Sequence, residues 1–507
     1  MRIAMLGWEF PPFISGGLGT ACFGLTRSLD AKGHEVLFVL PRPVHRSNSP
    51  THIKLITPEG QAQGSRPATA TSDNRNDSES VTDALAADLQ GGPAGAGPIV
   101  PGPFGRLRML GIPAAFSSPY GGGAAVGGKS RTRRTSRVLP DGSTVYIDVA
   151  GDEASDSGVV ETVYREDSIL HPLGHTQHVF GMGGAGAHYQ GDLFLEAERY
   201  AKMVVHLTRG ENFDVIHAHD WLTFPAGIAL ARASGKPLVV HIHSTEFDRS
   251  GDNINQRVYD VERRGMMAAV RVVAVSELTR NICTRRYGLP AEKIDIVYNG
   301  IENDAIQPQE GRLSNGTDKI VLFLGRITMQ KGPEYFIAAA KLVLEKVPEA
   351  KFIIAGTGDL EARMIELAAQ YNIGHRVLFT GFLRGKDVDR VYRMADCYVM
   401  PSVSEPFGIA PLEAMRHDVP TIISKQSGVG EVLTHVLKVD FWDTTELANK
   451  IVAVLRHPPL SQTLRDHGSI EVKKLTWSSS ADACIDSYKK AISEHVAVIT
   501  TAPAAMV

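Results

Sequence analysis

The sequence predicts an α/β protein built as two doubly wound domains, each a parallel sheet with helices on both faces. Three observations carry this. Short runs rich in Val, Ile and Leu recur between stretches with helical spacing. Most of these runs are continuously apolar instead of alternating, as strands covered on both faces read. The alternation occurs twice, on either side of a polar stretch at 303–319, and two βαβα series in succession imply two sheets.

In chain order, "RIAMLG" (2–7) reads as a strand, 20–32 as a helix, and "EVLFVL" (35–40) and "HIKLIT" (52–57) as strands. Residues 59–165 then turn rich in Gly, Pro, Ala, Ser and Asp. Such a composition buries too little apolar surface to offset ordering, which predicts a mobile insert. Its basic cluster "GGKSRTRRTSR" (127–137) reads as a solvated loop in preference to a site for an anionic partner. The series resumes with a helix near 189–209, "FDVIHAHD" (213–220), a helix to about 234, "KPLVVHIH" (236–243), "VRVVAVS" (270–276) and "KIDIVYNGIE" (293–302). Beyond the polar linker come "IVLFLGR" (320–326), "KFIIAGTG" (351–358), "RVLFTGF" (376–382), "CYVMP" (397–401) and "VPTIIS" (419–424), separated by helical stretches.

Composition narrows the function classes. The chain has 507 residues, 43% hydrophobic and 21% charged, with a formal net charge of -3. That suits a soluble globular protein of two cores, not a nucleic-acid binder. Cys22, Cys283, Cys397 and Cys484 are scattered, with neither a disulfide framework nor zinc-knuckle spacing. No signal region and no transmembrane segment are expected, and the expected location is cytoplasmic.

The candidate chemistry gathers at strand ends. "SGGLG" (15–19) fails the dinucleotide fingerprint because Cys22 stands where the third glycine belongs, and the Walker pattern fails as well. Two readings of Gly16 and Gly17 stay open: a tight turn, or bare backbone approaching an anion at a helix start. In "SVSEPFGIAPLEAM", seven residues separate Glu405 in a Pro/Gly loop from Glu413 one turn into a helix, so both can face one polyhydroxyl ligand. "FLGRITMQKG" places Arg326 and Lys331 just beyond a strand, two cations suited to a diphosphate. His217, His219, His241 and His243 alternate along two strands. They read as site-lining or packed residues in preference to a metal site, and no metal is assigned. Asp387 and Asp389 fall at a helix start, where acids suit the macrodipole. Trp8, Trp221, Trp442 and Trp477 are too dispersed for a sugar platform.

On "WEFPP…SGGLG", "VIHAHDW", "HIHSTEF", "VAVSELT", "VYNGIE", "LGRITMQKG", "AGTG", "FTGFL", "PSVSEPFGIAPLEAM" and "LTWSSSADACIDSYKKAI", the chain resembles the retaining glycosyltransferases with two Rossmann-like domains, the GT-B fold. These include the group-one enzymes and the glycogen and starch synthases. The resemblance implies an acceptor-side domain at 1–304 and a nucleotide-sugar domain at 317–474, facing across a cleft. It also implies a helix at 475–495 crossing back to the first domain. Arg326 and Lys331 then hold the donor diphosphate and stabilise its departure, with no metal or other cofactor required. Glu413 meets the donor ribose, and Glu405 the transferring sugar beside the backbone of Phe407, Gly408 and Ile409. Gly16 and Gly17 approach the phosphates, His243 lies near the anomeric carbon, and Asp220 is on the acceptor side.

The implied partners are a nucleotide-sugar donor and a saccharide acceptor, with hexose transfer, glucose foremost, as the implied reaction. Ile14 stands where bacterial glycogen synthases carry lysine, which weakens an ADP-glucose assignment. No residue announces itself as a nucleophile, so covalent and same-face routes to retention both stay open. The alternatives are a sugar-nucleotide 2-epimerase of the same fold, and a non-catalytic sugar-nucleotide-binding module.

Overall fold

A computed structural model describes residues 1–10, 16–41, 54–56, 107–111, 133–138, 144–150, 160–165, 193–302 and 318–501. Residues 1–121 and 184–507 form one compact unit and 122–183 a second. In chain order the first unit opens with β1 (Arg2–Leu6), α1 (Gly17–Ala31), β2 (Glu35–Leu40), β3 (Lys54–Ile56) and β4 (Leu107–Gly111). The second unit holds β5 (Arg133–Val138), β6 (Thr144–Ala150) and β7 (Val160–Arg165), an antiparallel sheet in that order.

The first unit continues with α2 (Leu193–Leu207), β8 (Val215–His219), α3 (Phe224–Ser234), β9 (Leu238–Ile242), α4 (Glu246–Ser250) and α5 (Gln256–Ala268). After these come β10 (Arg271–Ala274), α6 (Glu277–Tyr287) and β11 (Ile294–Ile296). All these strands join one parallel sheet in the order β11-β10-β9-β8-β1-β2-β4-β3. The next series is β12 (Lys319–Leu324), α7 (Pro333–Leu344), β13 (Ala350–Ala355), α8 (Glu361–Gln370), β14 (Val377–Gly381), α9 (Lys386–Met394) and β15 (Cys397–Met400). It ends with α10 (Ile409–Arg416), β16 (Thr421–Ser424), β17 (Leu437–Val439), α11 (Thr444–Arg456), α12 (Pro458–Val472) and α13 (Trp477–Thr501). Its sheet is also parallel, ordered β14-β13-β12-β15-β16-β17.

Alternate residues of each strand feed opposite cores, which is why the strands read as unbroken apolar runs. Ala4 and Leu6 pack with α2, α3 and α5, whereas Ile3 and Met5 pack with α1 and α13. In the second sheet, Val321 and Phe323 face α7 and α11, while Ile320 and Leu322 face α9 and α10. Helix α13 therefore serves the first sheet although it follows the second, placing Ala481, Cys484, Ile485 and Tyr488 on that sheet's face. The four cysteines are free thiols, all buried.

Between 59 and 165 the sequence reading assigned no strand, yet β4 joins the first sheet and β5–β7 form their own. The rest of that insert, most of the linker at 303–319, and Ile14 lie outside the described residues. No described helix is long and apolar enough to cross a membrane.

One close approach fixes α13 on α1. A Cβ added to Gly24 would sit 2.3 Å from Trp477 Cε2, inside a rigid ring that is itself buried. Gly24→Ala is therefore expected to destabilise the fold by about 1–3 kcal/mol through overpacking. Urea unfolding measures it, and a midpoint unchanged from wild type would refute the contact.

Candidate functional site

Ligand crevices in open parallel sheets form where strand order reverses. In the first sheet the reversal lies between β1 and β8, since the chain runs from β1 outward to β2 and returns on the other side at β8. Helix α1 starts just beyond β1. Its N-cap residue, Gly16, is extended (φ -169°, ψ -170°) and offers no side-chain cap. Among the described residues, a Cβ on Gly16 would meet nothing within 4 Å, and one on Gly17 would meet only Ile409 Cδ1, at 3.9 Å. The bare helix start therefore abuts the first residue of α10.

Asp220 follows β8 with a left-handed backbone (φ 56°), uncommon for a residue with a side chain. Its Oδ1 accepts hydrogen bonds from the backbone N–H of His243 (2.7 Å) and Ser244 (3.4 Å), clamping the chain beyond β9. Burial pushes its carboxyl up to about 7, opposed by the His243 N–H and the charge of Arg249. Asp220 and His243 thus form one group.

Behind them the histidines stack. His219 lies opposite His241 in the register, and alternation sends all four rings to one face. Ring centroids are 4.2 Å apart for His217 and His219 and 4.1 Å for His241 and His243. His217 Nδ1 is 2.6 Å from the Tyr488 hydroxyl of α13, His217 Nε2 is 3.2 Å from His241 Nδ1, and His219 Nδ1 is 2.9 Å from His243 Nε2. Burial holds His217 and His243 down at about 3 and depresses His219 and His241 as well, so the rings are neutral. One ring nitrogen from each of His217, His219 and His241 lies within 4.8 Å of the others. Two strands, β8 and β9, therefore suffice to bring three potential ligand atoms together, without the further cluster the sequence reading looked for.

The second reversal lies between β12 and β15. Beyond β12, Arg326 donates to Gln330 Oε1 (3.5 Å), and a 3₁₀ turn at Met329–Lys331 carries Lys331. Beyond β15, Glu405 is buried, and its Oε2 accepts from Lys331 Nζ (2.5 Å) and from the Ser402 hydroxyl (3.2 Å). Gly356 of "AGTG" has φ 142°, and a Cβ there would lie 1.9 Å from the Gly325 carbonyl oxygen. Only glycine lets that loop touch the one carrying Arg326. Phe407 is buried, Gly408 caps α10, and Ile409 opens it. Glu413 accepts from the Tyr392 hydroxyl (3.0 Å), and burial raises its carboxyl. Burial raises the Tyr398 hydroxyl, and the charges of Glu405 and Glu413 raise it further.

The structure adds residues that the motifs did not single out. The Ser404 hydroxyl donates to Asp248 Oδ1 (2.6 Å), and the Ser276 hydroxyl to the Pro406 carbonyl (2.5 Å). Glu431 accepts from the backbone N–H of Glu277 and Leu278, each at 2.8 Å, at the start of α6. These bonds tie the Glu405 loop and its neighbour to the first sheet's helices. Capping spacing could have flagged one partner, because Thr245 and Asp248 form a capping box.

The comparisons with known proteins meet this geometry. The family profile described as "Glycosyl transferases group 1" matches residues 306–469, that of "Glycosyltransferase Family 4" residues 157–305, and that of "Starch synthase catalytic domain" residues 2–72. An uncharacterized glycosyltransferase of Methanocaldococcus jannaschii is 31% identical over 300 residues, covering 56% of this chain and 76% of that protein. The chain belongs to the group 1 glycosyltransferases. This glycosyltransferase is also 30% identical over 224 residues to a glycogen synthase of Mycobacterium tuberculosis, covering 43% of this chain and 54% of that one. Among solved structures, a sucrose-phosphate synthase from Thermosynechococcus elongatus shares the fold (TM-score 0.62, 17% identity, 97% of this chain and 99% of that one). So does Anabaena HepE, solved with UDP and glucose (TM-score 0.57, 14% identity, 96% and 99%). The GT-B fold read from the motifs is the fold observed.

The buried ionisable groups of this glycosyltransferase give its stability a pH signature. His217 and His243 titrate near 6.5 when unfolded and near 3 when folded, so their contribution is fully present above pH 6.5 and is lost as pH falls toward 3. Asp220 has the opposite sign, since its raised value favours the folded state below 3.8, an advantage lost as pH rises through about 7. Asp220→Asn keeps an oxygen for the His243 N–H and removes the buried charge. Its urea midpoint relative to wild type is expected to rise between about pH 5 and about pH 8. A constant difference would contradict the burial of that carboxyl.

Proposed function

We propose that this glycosyltransferase is a retaining hexosyltransferase that moves glucose from a nucleoside diphosphate to a sugar or glucan acceptor, with no metal required. The observation that carries the reading is the Lys331–Glu405 pair at the second reversal, with Arg326 just past the same strand. A fixed cation beside a fixed carboxylate matches a donor that is anionic at its phosphates and hydroxylated at its sugar. In this reading Lys331 and Arg326 stabilise the charge that grows on the leaving diphosphate. Glu405, Phe407, Gly408 and Ile409 hold the transferring sugar and Glu413 the ribose. Gly16 and Gly17 approach the phosphates from the other side. Asp220 and His243 line the acceptor side near the anomeric carbon.

The same proposal takes 1–304 as the acceptor-side domain, 317–474 as the donor domain and 475–495 as the returning helix. It also places the protein in the cytoplasm, which the buried free thiols suit. HepE, solved with UDP and glucose, and the glycogen synthase relative support glucose. The relatives also include a D-inositol 3-phosphate glycosyltransferase of Pseudarthrobacter chlorophenolicus, 27% identical over 303 residues, so the acceptor class stays at sugar or glucan.

A thermal-shift screen of UDP-, ADP- and GDP-sugars followed by nucleotide release with saccharide acceptors tests the proposal. Lys331→Ala is expected to lower kcat/KM by roughly 10²–10³-fold, the scale of losing one stabilising donor. Release that is unchanged in this variant would sink the electrostatic role. A free 2-epimer without acceptor would favour the epimerase, and binding without turnover the silent module.

A further inference from the structure

We infer that His219 fixes His243 as the Nδ1–H tautomer, so that His243 meets a bound sugar as a hydrogen-bond donor and not as a base. The inference rests on the reading above that His243 lines the sugar site, and it adds the atom through which His243 acts.

The assignment follows from which nitrogens lack partners. Nδ1 of His219 and Nε2 of His243 are 2.9 Å apart, so one carries the shared proton. Among the described residues, Nε2 of His219 is buried with no hydrogen-bond partner. If the His219 proton sat there, a buried N–H would go unpaired, whereas a proton on Nδ1 leaves only a bare lone pair. Orphaned buried N–H groups are the rarer of the two, because each forfeits a full donor's hydration. His219 Nδ1–H therefore donates to His243 Nε2. A neutral His243 then holds its single proton on Nδ1. His243 as a residue is half-buried, and it borders a narrow gap, with no room for a water molecule, that Ala21, Leu25, Asn299, Trp477 and Ser480 also line.

The second pair repeats the logic. His241 Nε2 is likewise buried and without a partner among the described residues, so its proton belongs on Nδ1, donating to His217 Nε2 across 3.2 Å. His217 must then carry its own proton on Nδ1 and donate it to the Tyr488 oxygen, 2.6 Å away. Two stacked pairs thus run with one proton order, the second anchored on helix α13. The depressed proton affinity of all four rings agrees with this order, since one added proton would break it. His219 is a positioning residue here. The competing explanation for the two bare nitrogens is a transition-metal ion bound by His217, His219 and His241.

The test is a long-range 1H–15N correlation spectrum of the full chain labelled with 15N-histidine, with the His243 signals identified by their loss in His243→Gln. In wild type, the expected pattern is a protonated Nδ1 and a bare Nε2 on His243. His219→Phe removes the donor and is expected to shift His243 largely to Nε2–H, with kcat reduced about tenfold. His219→Asn places an amide N–H near the lost Nδ1–H and is expected to restore the wild-type pattern and most of kcat. The wild-type spectrum decides alone should His219→Phe fail to fold. An Nε2–H tautomer in wild type, or an unchanged pattern in His219→Phe, overturns the inference. Stoichiometric zinc or copper by elemental analysis of the purified protein overturns it as well. Nucleotide-sugar binding is measured separately. Its absence would refute the functional reading and leave the tautomer result standing on its own spectrum.

Discussion

The Lys331–Glu405 ion pair is the interaction around which the second half of the molecule is arranged. Glu405 is 6% exposed, and a carboxylate so enclosed needs a cation and further donors to stay charged. Lys331 and Ser402 supply these from loops beyond β12 and β15, the two strands that meet where the order reverses. Such a pair contributes little net stability, but removing one partner strands the other. Its consequence is rigidity. The Glu405 loop is also held by the Gln426 carbonyl, to which Glu405 donates its own N–H, and by Ser276 at Pro406.

Preorganisation of one half would be wasted if the other half could not approach. The approach depends on absent side chains. Gly16 leaves space at the start of α1, and Gly17 lets Ile409 come within 3.9 Å of where a Cβ would be. Glu431 then satisfies two backbone N–H groups at the start of α6, where a helix leaves its first donors unpaired. The two halves therefore meet through a helix start left bare beside the start of α10 and a second capped from across the contact.

Most of this frame was legible because parallel strands buried on both faces leave long apolar runs, and because reversal points follow from strand order. The dipeptide Gly16-Gly17, the pair Arg326 and Lys331, and the spacing of Glu405 and Glu413 were visible as motifs with a mechanism. What escaped was of two kinds. Strand β17 is only three residues, Leu437–Val439, too short for periodicity to register. Strands β4–β7 sit inside a Gly- and Pro-rich composition that masks them. Contacts such as Ser404 with Asp248, or Glu431 with α6, join residues about 150 positions apart, and no local pattern encodes them. Serine, aspartate and glutamate in loops look alike until tertiary structure chooses their partners.

The histidines show how far alternation reaches and where it stops. Period two predicts that His217 shares a face with His219, and His241 with His243, yet it cannot say that the two faces coincide. Register decides that. With His219 opposite His241, four imidazoles fall into one stack, and burial makes every one of them neutral. A neutral imidazole is one donor and one acceptor, so a stack with three of its four rings buried must settle on an ordered set of protons. Tyr488 can anchor that order only because α13 returns to the first sheet after the second is complete. The last helix of the chain thereby sets hydrogen-bond direction beside β8 and β9, the strands that present Asp220 and His243. Its packing is part of the site's chemistry as well as of the fold.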